Sequence, residues 1–422
     1  MNIQNLESRL YDRGRPERLK ALRELMGAYQ SGKLPAPTPT SYVNNHIHTV
    51  YSFSPYTPAA AAYTAWKNGL CTAGIMDHDS IAGAQEFIEA GKLIGIAVTI
   101  GFECRCKMDS TPFAGRRINH TDQDSVAYLA AHGIPHQNIA KAQAWLAPYH
   151  EKRMVRGRAM TANINKLMAG TGVALGFDKD VLPISYAHEG GSVTERHILY
   201  ALAEKITAQV GRGRHVLDLL AELDINVTGK NRELLLNTGD LMYEYYLLGE
   251  LKASMAERFY IPADDECPDV HEFIAFMREI GGIAAYAYLG DVGDSVTGDK
   301  KTQRFEDSYL DELISWAAQA GFNAVTYMPA RNTPEQLARL IALCERHDLF
   351  QISGEDINTP FQYFICKALD KPQFRHLIDS TWALIGHENA ASADIENGMF
   401  SAKNRREMPD LNKRIAYFGR KA

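Results

Sequence analysis

The sequence has no long hydrophobic run. A helix that crosses a bilayer needs about 18 or more consecutive apolar residues, and no stretch of the 422-residue chain approaches that length. The opening segment, MNIQNLESRLYDRGRPERLK, is polar and mixed in charge, so it lacks the apolar core of a signal peptide. We therefore expect a protein that neither spans a membrane nor carries a secretory leader.

Cysteine is also scarce. The six cysteines are scattered along the chain. The closest pair, Cys104 and Cys106, is separated by a single residue, which is not the spacing of a zinc finger. Scattered cysteines of this kind are typical of reduced thiols rather than of a disulfide framework, so the expected location is the cytoplasm.

An excess of positive charge is missing as well. Asp and Glu number 51 against 45 Lys and Arg, which gives a formal net charge of −6. This balance provides no overall attraction to nucleic acid or to an anionic membrane. No basic run is interleaved with aromatic residues, so a nuclease role is disfavoured. Any phosphate-bearing ligand must therefore be bound by a local basic patch.

The order of the predicted elements favours an α/β protein. From residue 42, short apolar runs rich in β-branched residues alternate with helical stretches, and this alternation predicts a parallel sheet. We divide the chain into an N-terminal helical appendage (1–40), an α/β domain (41–370) interrupted by a helical insertion (137–262), and a C-terminal extension (371–422). The insertion is expected either to cover the active site or to mediate homo-oligomerisation.

Two histidines lie near the end of the first predicted strand, in NNHIHT. Side chains alternate along a strand with a period of two, so His46 and His48 point to the same side. Two imidazoles placed in this way can bind one metal ion. The alternative is a pair of surface histidines on an edge strand.

The second predicted strand ends in Asp-His-Asp, within GIMDHDSIAG. Ligand sites of parallel α/β folds form at the carboxyl ends of strands, so Asp77 and His78 are candidate metal ligands. Asp79 or Ser80 is expected instead to cap the helix that follows.

Two further apolar runs end in carboxylates. Glu103 follows a strand of Ile, Val and Thr in IGFEC, where burial would be costly without a paired charge or a cation. Asp356 follows another apolar run in ISGEDINTP. Four strands therefore end in residues of metal-ligand type, and this recurrence predicts one shared metal site.

These motifs carry a resemblance to a known family. HIHT, MDHDSIAG, GFE and SGED resemble the successive motifs of the PHP (polymerase and histidinol phosphatase) superfamily, over about 43–135 and 270–366. The resemblance implies a distorted seven-stranded (β/α)7 barrel, here with the helical insertion and the N-terminal appendage added. It also implies two or three divalent ions and the hydrolysis of phosphoesters.

Carried over by position, the resemblance implies a set of seven metal ligands: His46, His48, Asp77, His78, Glu103, His132 and Asp356. The two histidines of HIHT and Asp356 would hold a first ion, which Glu103 would bridge to a second. Asp77 and His78 would serve a further ion. His132 lies where some members place a histidine of the second site, although it could equally be a surface residue at a strand end.

The sequence departs from the family pattern at two places. Tyr288 stands where members usually have a histidine, and Asn358 replaces the histidine of the last motif. A third ion would therefore be poorly held, which leaves two ions of manganese, zinc or iron as the expectation. His188 and His197 are candidate replacement ligands, each weighed against an ordinary loop or helix histidine.

The expected chemistry is attack by a water that a divalent ion activates. Asp77 or Asp356 would orient that water, and the sequence leaves the choice open. Substrate binding is assigned to Arg331, Lys301 and Tyr288, the tyrosine as a hydrogen-bond donor or an acid. Further basic candidates, each of which could instead be a solvated surface charge, are Lys300, Arg304, Arg116 and Arg117.

Three functions remain open from the sequence. The leading one is a metal-dependent phosphoesterase that acts on a small phosphorylated metabolite. A metal-dependent hydrolase of a non-phosphate ester or amide is the second, and a clearly basic pocket would argue against it. The third is a degenerate barrel that binds a ligand without turnover, which the replacements at Tyr288 and Asn358 would favour.

Overall fold

The computed structural model describes residues 3–120, 123–291, 304 and 306–422. Within these residues, a single sheet of six strands runs in the order β1-β2-β3-β4-β5-β6. The strands are β1 (Thr72–His78), β2 (Ala97–Lys107), β3 (Val126–His132), β4 (Ile283–Ala287), β5 (Ala324–Tyr327) and β6 (Phe350–Ser353). Neighbouring strands are thus also neighbours in sequence, as in a barrel built in chain order.

The curled sheet is bridged by the segment that carries the first histidine motif. Ile47 forms parallel bridges to Ile75 of β1 on one side and to Ile357, just after β6, on the other. The predicted α/β barrel-like fold is confirmed, with this short segment in the place of a seventh strand. The strand predicted over 42–48 is thus reduced to an isolated bridge.

The predicted all-parallel sheet is wrong at one strand. β1 with β2, β4 with β5 and β5 with β6 are parallel, but β3 is antiparallel to both of its neighbours. The described residues between β2 and β3 include no helix, and a connection without a crossover reverses the strand direction. The alternation of elements used to predict a parallel sheet therefore fails between residues 107 and 126.

Two glycines allow close packing around the strands. A Cβ at Gly101 of β2 would lie 2.1 Å from the carbonyl oxygen of Ala131, and one at Gly74 of β1 would lie 2.7 Å from Cα of Asn45. Neither approach is possible for a residue with a side chain. The glycine in β1 thus lets the histidine segment lie directly against the sheet.

Fifteen α-helices are found in the described part of the chain. They are α1 (Ile3–Arg9), α2 (Arg15–Gln30), α3 (Pro58–Lys67), α4 (Ala84–Ile94), α5 (Ile139–Leu167), α6 (Glu195–Val210), α7 (Arg214–Glu222), α8 (Gly229–Leu236), α9 (Tyr243–Phe259), α10 (Val270–Ile280), α11 (Leu310–Ala320), α12 (Pro334–Arg346), α13 (His376–Ala393), α14 (Ala402–Glu407) and α15 (Leu411–Gly419). None of these helices is both long enough and apolar enough to span a membrane.

The N-terminal residues, predicted as a helical appendage, form the two helices α1 and α2. The fully buried Arg18 of α2 pairs with Glu86 of α4 and donates to the carbonyls of Asp12 and Arg13, which lie between α1 and α2. The apolar side chains of both helices join the main hydrophobic core around the sheet. A buried ion pair is costly to break on one side, so Arg18 fixes this region firmly against α4.

The middle of the chain builds a second core. Apolar residues of α5 to α9 pack against each other in a cluster that includes Phe53, from the loop after the histidine segment. The helices near the C-terminus form a third cluster, in which α13 and α15 pack with residues of β3 to β6. The helical insertion therefore contacts the barrel next to the histidine motif, which places it at the candidate site.

Candidate metal centre

Five of the predicted ligands converge at one end of the sheet. His46 and His48 flank the bridging residue, His78 ends β1, and Asp356 follows β6. Glu103 lies inside β2, not after it as predicted, because β2 continues to Lys107. The register of the parallel pair places Glu103 directly beside His78.

The donor atoms of these residues form two overlapping groups. One consists of His46, His48 and Asp356, and the other of His48, His78 and Glu103. In each group the three donor atoms lie within 4.8 Å of one another. Among the described residues, no other set of three or more His, Cys, Asp or Glu side chains has this geometry.

Within each group, the donor atoms lie close enough together for one cation to bind several of them. His48 Nε2 lies 3.0 Å from Asp356 Oδ1, and His78 Nδ1 lies 3.1 Å from Glu103 Oε2. His46 Nε2 lies 3.6 Å from the same Glu103 oxygen.

Three buried imidazole nitrogens at this centre have no hydrogen-bond partner: His48 Nε2, His78 Nδ1 and His132 Nε2. A buried polar atom left unpaired is rare and costly. Neutral imidazole and carboxylate are the donors that zinc, manganese and iron bind. The residues present therefore fit one or two divalent ions.

The acidic groups at the centre are held ionised. Burial alone would raise the pKa of Glu103, but the neighbouring charge of His46 holds that pKa well below its usual range. Asp356 behaves in the same way, because the charge of His48 outweighs burial and lowers its pKa. Ionised carboxylates are the form that binds a cation.

Asp77 does not join either group. Its carboxylate accepts hydrogen bonds from the Thr49 backbone N–H at 2.6 Å, from the Thr49 hydroxyl at 2.6 Å and from the Ser52 hydroxyl at 2.7 Å. Ser52 Oγ in turn lies 3.3 Å from Nδ1 of His48. Through Ser52, Asp77 therefore holds the His48 imidazole in an orientation in which its other nitrogen faces the centre.

His132 lies at the margin of the centre. The side chain is buried at the end of β3, and burial together with the charge of His46 lowers its pKa to about 3. Glu103 acts on that pKa in the opposite direction, although His132 belongs to neither group of three. The alternative of a surface residue at a strand end is wrong, because the ring is 1% exposed.

The two replaced ligands have taken other partners. The hydroxyl of Tyr288 donates to Asp307 Oδ1 at 2.6 Å. Asn358 Nδ2 donates to Asp356 Oδ1 at 2.8 Å, while Asn358 Oδ1 accepts from Arg196 Nη1 at 2.8 Å. Asn358 thus connects an arginine of the insertion to a carboxylate of the first group.

The candidate replacement histidines do not come to the centre. His188 is exposed, with Nε2 3.2 Å from Arg13 Nη2. His197 is buried, but its Nδ1 accepts from the backbone N–H of Thr194 at 3.1 Å and caps the start of α6. Its ring also packs edge-on against Phe53.

The predicted substrate-binding residues are dispersed. Arg331 Nε donates to the Leu289 carbonyl at 3.0 Å, and Lys301 and Lys300 lie outside the described residues. Arg116 pairs with Glu312, and Arg117 with Asp124, all four partly exposed. No described contact brings any of these arginines to the metal centre.

A set of residues that the sequence analysis missed lines a small pocket next to the centre. Its wall includes His78, a member of the second donor group, and Asn358, which donates to Asp356. Three arginines also line it: Arg105 of β2, Arg153 of α5 and Arg196 of α6. Arg105 could have been found, because it lies two residues after Glu103 in the same strand and so on the same face. The two arginines of the insertion carry no comparable signal.

Asp79 belongs to this pocket and is not a helix cap. The next helix, α4, begins five residues later at Ala84 and has no side-chain cap. The Asp79 carboxylate instead pairs with Arg153, and the Ser80 hydroxyl donates to the Gly190 carbonyl. Both residues thus connect the barrel to the insertion.

No protein-family model and no curated protein sequence matches the chain. Two solved structures are similar in fold. One is a "putative metal-dependent phosphoesterase" from Bifidobacterium adolescentis, with 22% identity and a TM-score of 0.50, over 81% of this chain and 97% of that one. The other is an amidohydrolase from Chromobacterium violaceum, solved with bound SO4 and no metal, with 17% identity and a TM-score of 0.50, over 80% and 96%. The chain therefore has a barrel fold that hydrolases of this kind use.

Proposed function

We propose that the protein is a metal-dependent phosphoesterase of PHP type that hydrolyses a small phosphorylated metabolite. The observation that supports this most directly is the convergence of five donor side chains from four segments of the barrel, with unpaired imidazole nitrogens among them. A fold shared with hydrolases is compatible with the proposal, but similarity below 25% identity supports the architecture and not the activity.

The two groups assign ligands to two ions of manganese, zinc or iron. His46, His48 and Asp356 would hold one ion, and His78 and Glu103 would hold the second, with His132 nearby. One imidazole nitrogen binds one ion, and Nδ1 of His48 faces Ser52. His48 therefore serves one of the two groups at a time.

Bound ions of this kind lower the pKa of a coordinated water from 15.7 to roughly 7 and so make hydroxide available at neutral pH. Asp356 is the better placed carboxylate to orient the attacking water, because it belongs to a donor group and its side chain is 22% exposed. Both oxygens of Asp77 are already engaged by Thr49 and Ser52, so we assign Asp77 to positioning His48.

Hydrolysis of a non-phosphate ester or amide is the second candidate. The donor groups are compatible with it, because a divalent ion can polarise a carbonyl oxygen as well as a phosphoryl oxygen. The arginines that line the adjacent pocket favour phosphate instead, because guanidinium groups match the geometry of phosphate oxygens.

The experiment is elemental analysis of the full chain, purified without chelator, for wild type, a His46→Ala/His48→Ala variant and a His188→Ala control. We expect about two equivalents of manganese, iron or zinc in wild type and in the control, and a large loss in the double variant. The same proteins are then assayed against phosphorylated metabolites and against matched esters and amides.

Turnover of phosphorylated compounds alone would support the phosphoesterase assignment. Turnover confined to esters or amides would replace it with the second candidate. Absence of metal, even after incubation with excess manganese and zinc, would overturn the proposal and leave a ligand-binding barrel.

A further inference from the structure

A cluster of buried charges that the proposed hydrolysis does not use lies beside the metal centre. Three arginines surround the single carboxylate of Glu266: Arg105 of β2 makes a short contact, Arg156 Nε lies 2.6 Å from one oxygen, and Arg153 Nε lies 3.3 Å from the other. Arg153 also pairs with Asp79 at the end of β1. The insertion and the barrel are thus joined through charged groups rather than through apolar packing alone.

Guanidinium groups are concentrated at this place. The pocket is lined by Arg105, Arg153 and Arg196 and by the carboxylates of Asp79 and Glu195. Arg156 pairs with Glu266, which Arg105 and Arg153 also contact. Guanidinium groups match the geometry of phosphate oxygens, so an oxyanion is the ligand that this wall favours.

Arg153 also has hydrogen-bond donors to spare. Its side chain is only 4% exposed, its Nη1 donates to Asp79 and to the Ser192 hydroxyl at 2.8 Å, and its Nε faces Glu266. The remaining nitrogen, Nη2, is buried and has no hydrogen-bond partner. Arg153 lines the pocket, so this nitrogen has N–H donors available for a hydrogen-bond acceptor from a ligand.

We infer that this pocket binds an oxyanion, and that Arg153 is its principal donor. Resting on the proposed function, the inference assigns the pocket to the phosphate oxygens of the substrate. His78 is both a pocket wall and a candidate metal ligand, so an anion bound here lies next to the metal centre. The helical insertion, which supplies Arg153 and Arg196, is then a substrate-recognition element of the barrel.

The pocket also indicates which phosphates fit. The rings of Phe53 and Tyr128 form part of its wall, and in this conformation it is narrow. A terminal phosphate can enter such a pocket end-on, whereas the phosphate inside a diester carries a substituent on both sides. A phosphomonoester is therefore the expected substrate class.

The test is calorimetric titration of inorganic phosphate into the full chain, both as purified and after treatment with a chelator. Arg153→Lys keeps the charge but removes the planar fork, and we expect it to weaken phosphate binding about tenfold or more in both forms. Arg196→Gln, which removes one guanidinium group of the pocket wall, should weaken it several-fold. Arg158→Lys, on the same helix but paired with Asp178 at the surface, is the matched control.

Thermal unfolding and metal content of each variant show whether the fold and the metal centre are intact. Wild-type affinity in both Arg153→Lys and Arg196→Gln, or no phosphate binding by the chelated wild type, would overturn the inference. Equal turnover of p-nitrophenyl phosphate and of its bis-ester would overturn the substrate class. Metal binding without phosphate binding would leave the proposed hydrolase standing, and the reverse result would leave only the pocket.

Discussion

The metal centre and the arginine pocket are adjacent, yet the chain builds them in different ways. The centre takes its side chains from the ends or flanks of barrel strands, where the register of one parallel pair places His78 beside Glu103. The pocket takes two of its three arginines from helices of the insertion. Arg153 meets the barrel through Glu266 and Asp79, and Arg196 meets it through Asn358. We expect the first region to carry the chemistry, and the second to carry substrate choice and part of the stability.

The largest expected effect is that of His48→Ala. Whichever group His48 serves, its loss leaves each group with two donors, so metal should be lost and phosphoesterase turnover should fall by at least about a thousandfold. His46→Ala, which removes a member of one group only, should retain more metal per chain. Elemental analysis beside a turnover assay measures both effects, and equal metal contents in the two variants would mean that His48 is not shared.

Loss of the arginine cluster should instead lower the stability of the fold. Glu266→Gln removes the carboxylate that three buried guanidinium groups share, so we expect the free energy of unfolding to fall by about 3–5 kcal/mol. Urea denaturation measures it, with Asp178→Asn at the exposed pair of Arg158 as the control. A loss below about 1 kcal/mol would show that the cluster does not anchor the insertion.

The stability difference between wild type and Glu266→Gln should depend on pH. Burial would raise the pKa of Glu266, but the charges of Arg153, Arg105 and Arg156 hold that pKa at about 2. An unfolded glutamate titrates near about 4.3. The stabilisation is therefore fully present above about pH 4.3 and is lost as the pH falls through about 2. The difference in stability between wild type and Glu266→Gln should shrink over that window.

Asp77→Asn separates positioning from ligation. The amide cannot accept all the hydrogen bonds that Thr49 and Ser52 donate, so His48 should lose its fixed orientation. We expect metal affinity to fall about 10–100-fold while the fold is kept. Metal titration of the chelated variant measures this, and complete loss of metal at saturating concentration would identify Asp77 as a direct ligand.

The smallest expected effect is that of Asn358→His, which introduces the histidine found at this position in the PHP motif that the sequence resembles. The new imidazole should add up to about one equivalent of metal per chain, measured by elemental analysis. Asn358 now links Arg196 to Asp356, so phosphate binding should weaken slightly in the same variant. An unchanged metal content would mean that the guanidinium of Arg196 keeps a cation out of that corner.

Short sequence patterns predict part of the fold and part of the metal centre. Alternation of apolar strands with helices predicts an α/β sheet, and the resemblance to the PHP superfamily implies the barrel. The histidine pair and the acidic strand ends identify five residues that the fold brings together. The direction of β3 was not predictable from that alternation, because a connection without a helix reverses the strand. The role of Asp77 was hidden as well, since only the folded chain shows that Thr49 and Ser52 occupy its oxygens.

The arginine pocket shows why the remainder could not be predicted. Arg153 and Arg156 look like ordinary charges on a long helix, yet both are buried and pair with Glu266, which lies outside the insertion. Asp79 looks like a helix cap in sequence, yet it pairs with an arginine 74 positions along the chain. Contacts of this length are set by tertiary packing, which a single sequence does not display.

The position of the insertion has a consequence for how the chain folds. β3 ends at His132 and its antiparallel partner β4 begins at Ile283, so about 150 residues separate two strands that must pair. Loop-closure entropy grows only with the logarithm of length, by about 0.6 kcal/mol for each doubling, so a long insertion costs the finished barrel little. Folding rates, in contrast, fall as pairing becomes less local. The β3–β4 ladder should therefore be among the last parts of the barrel to form, and the strand that carries His132 should reach its place late.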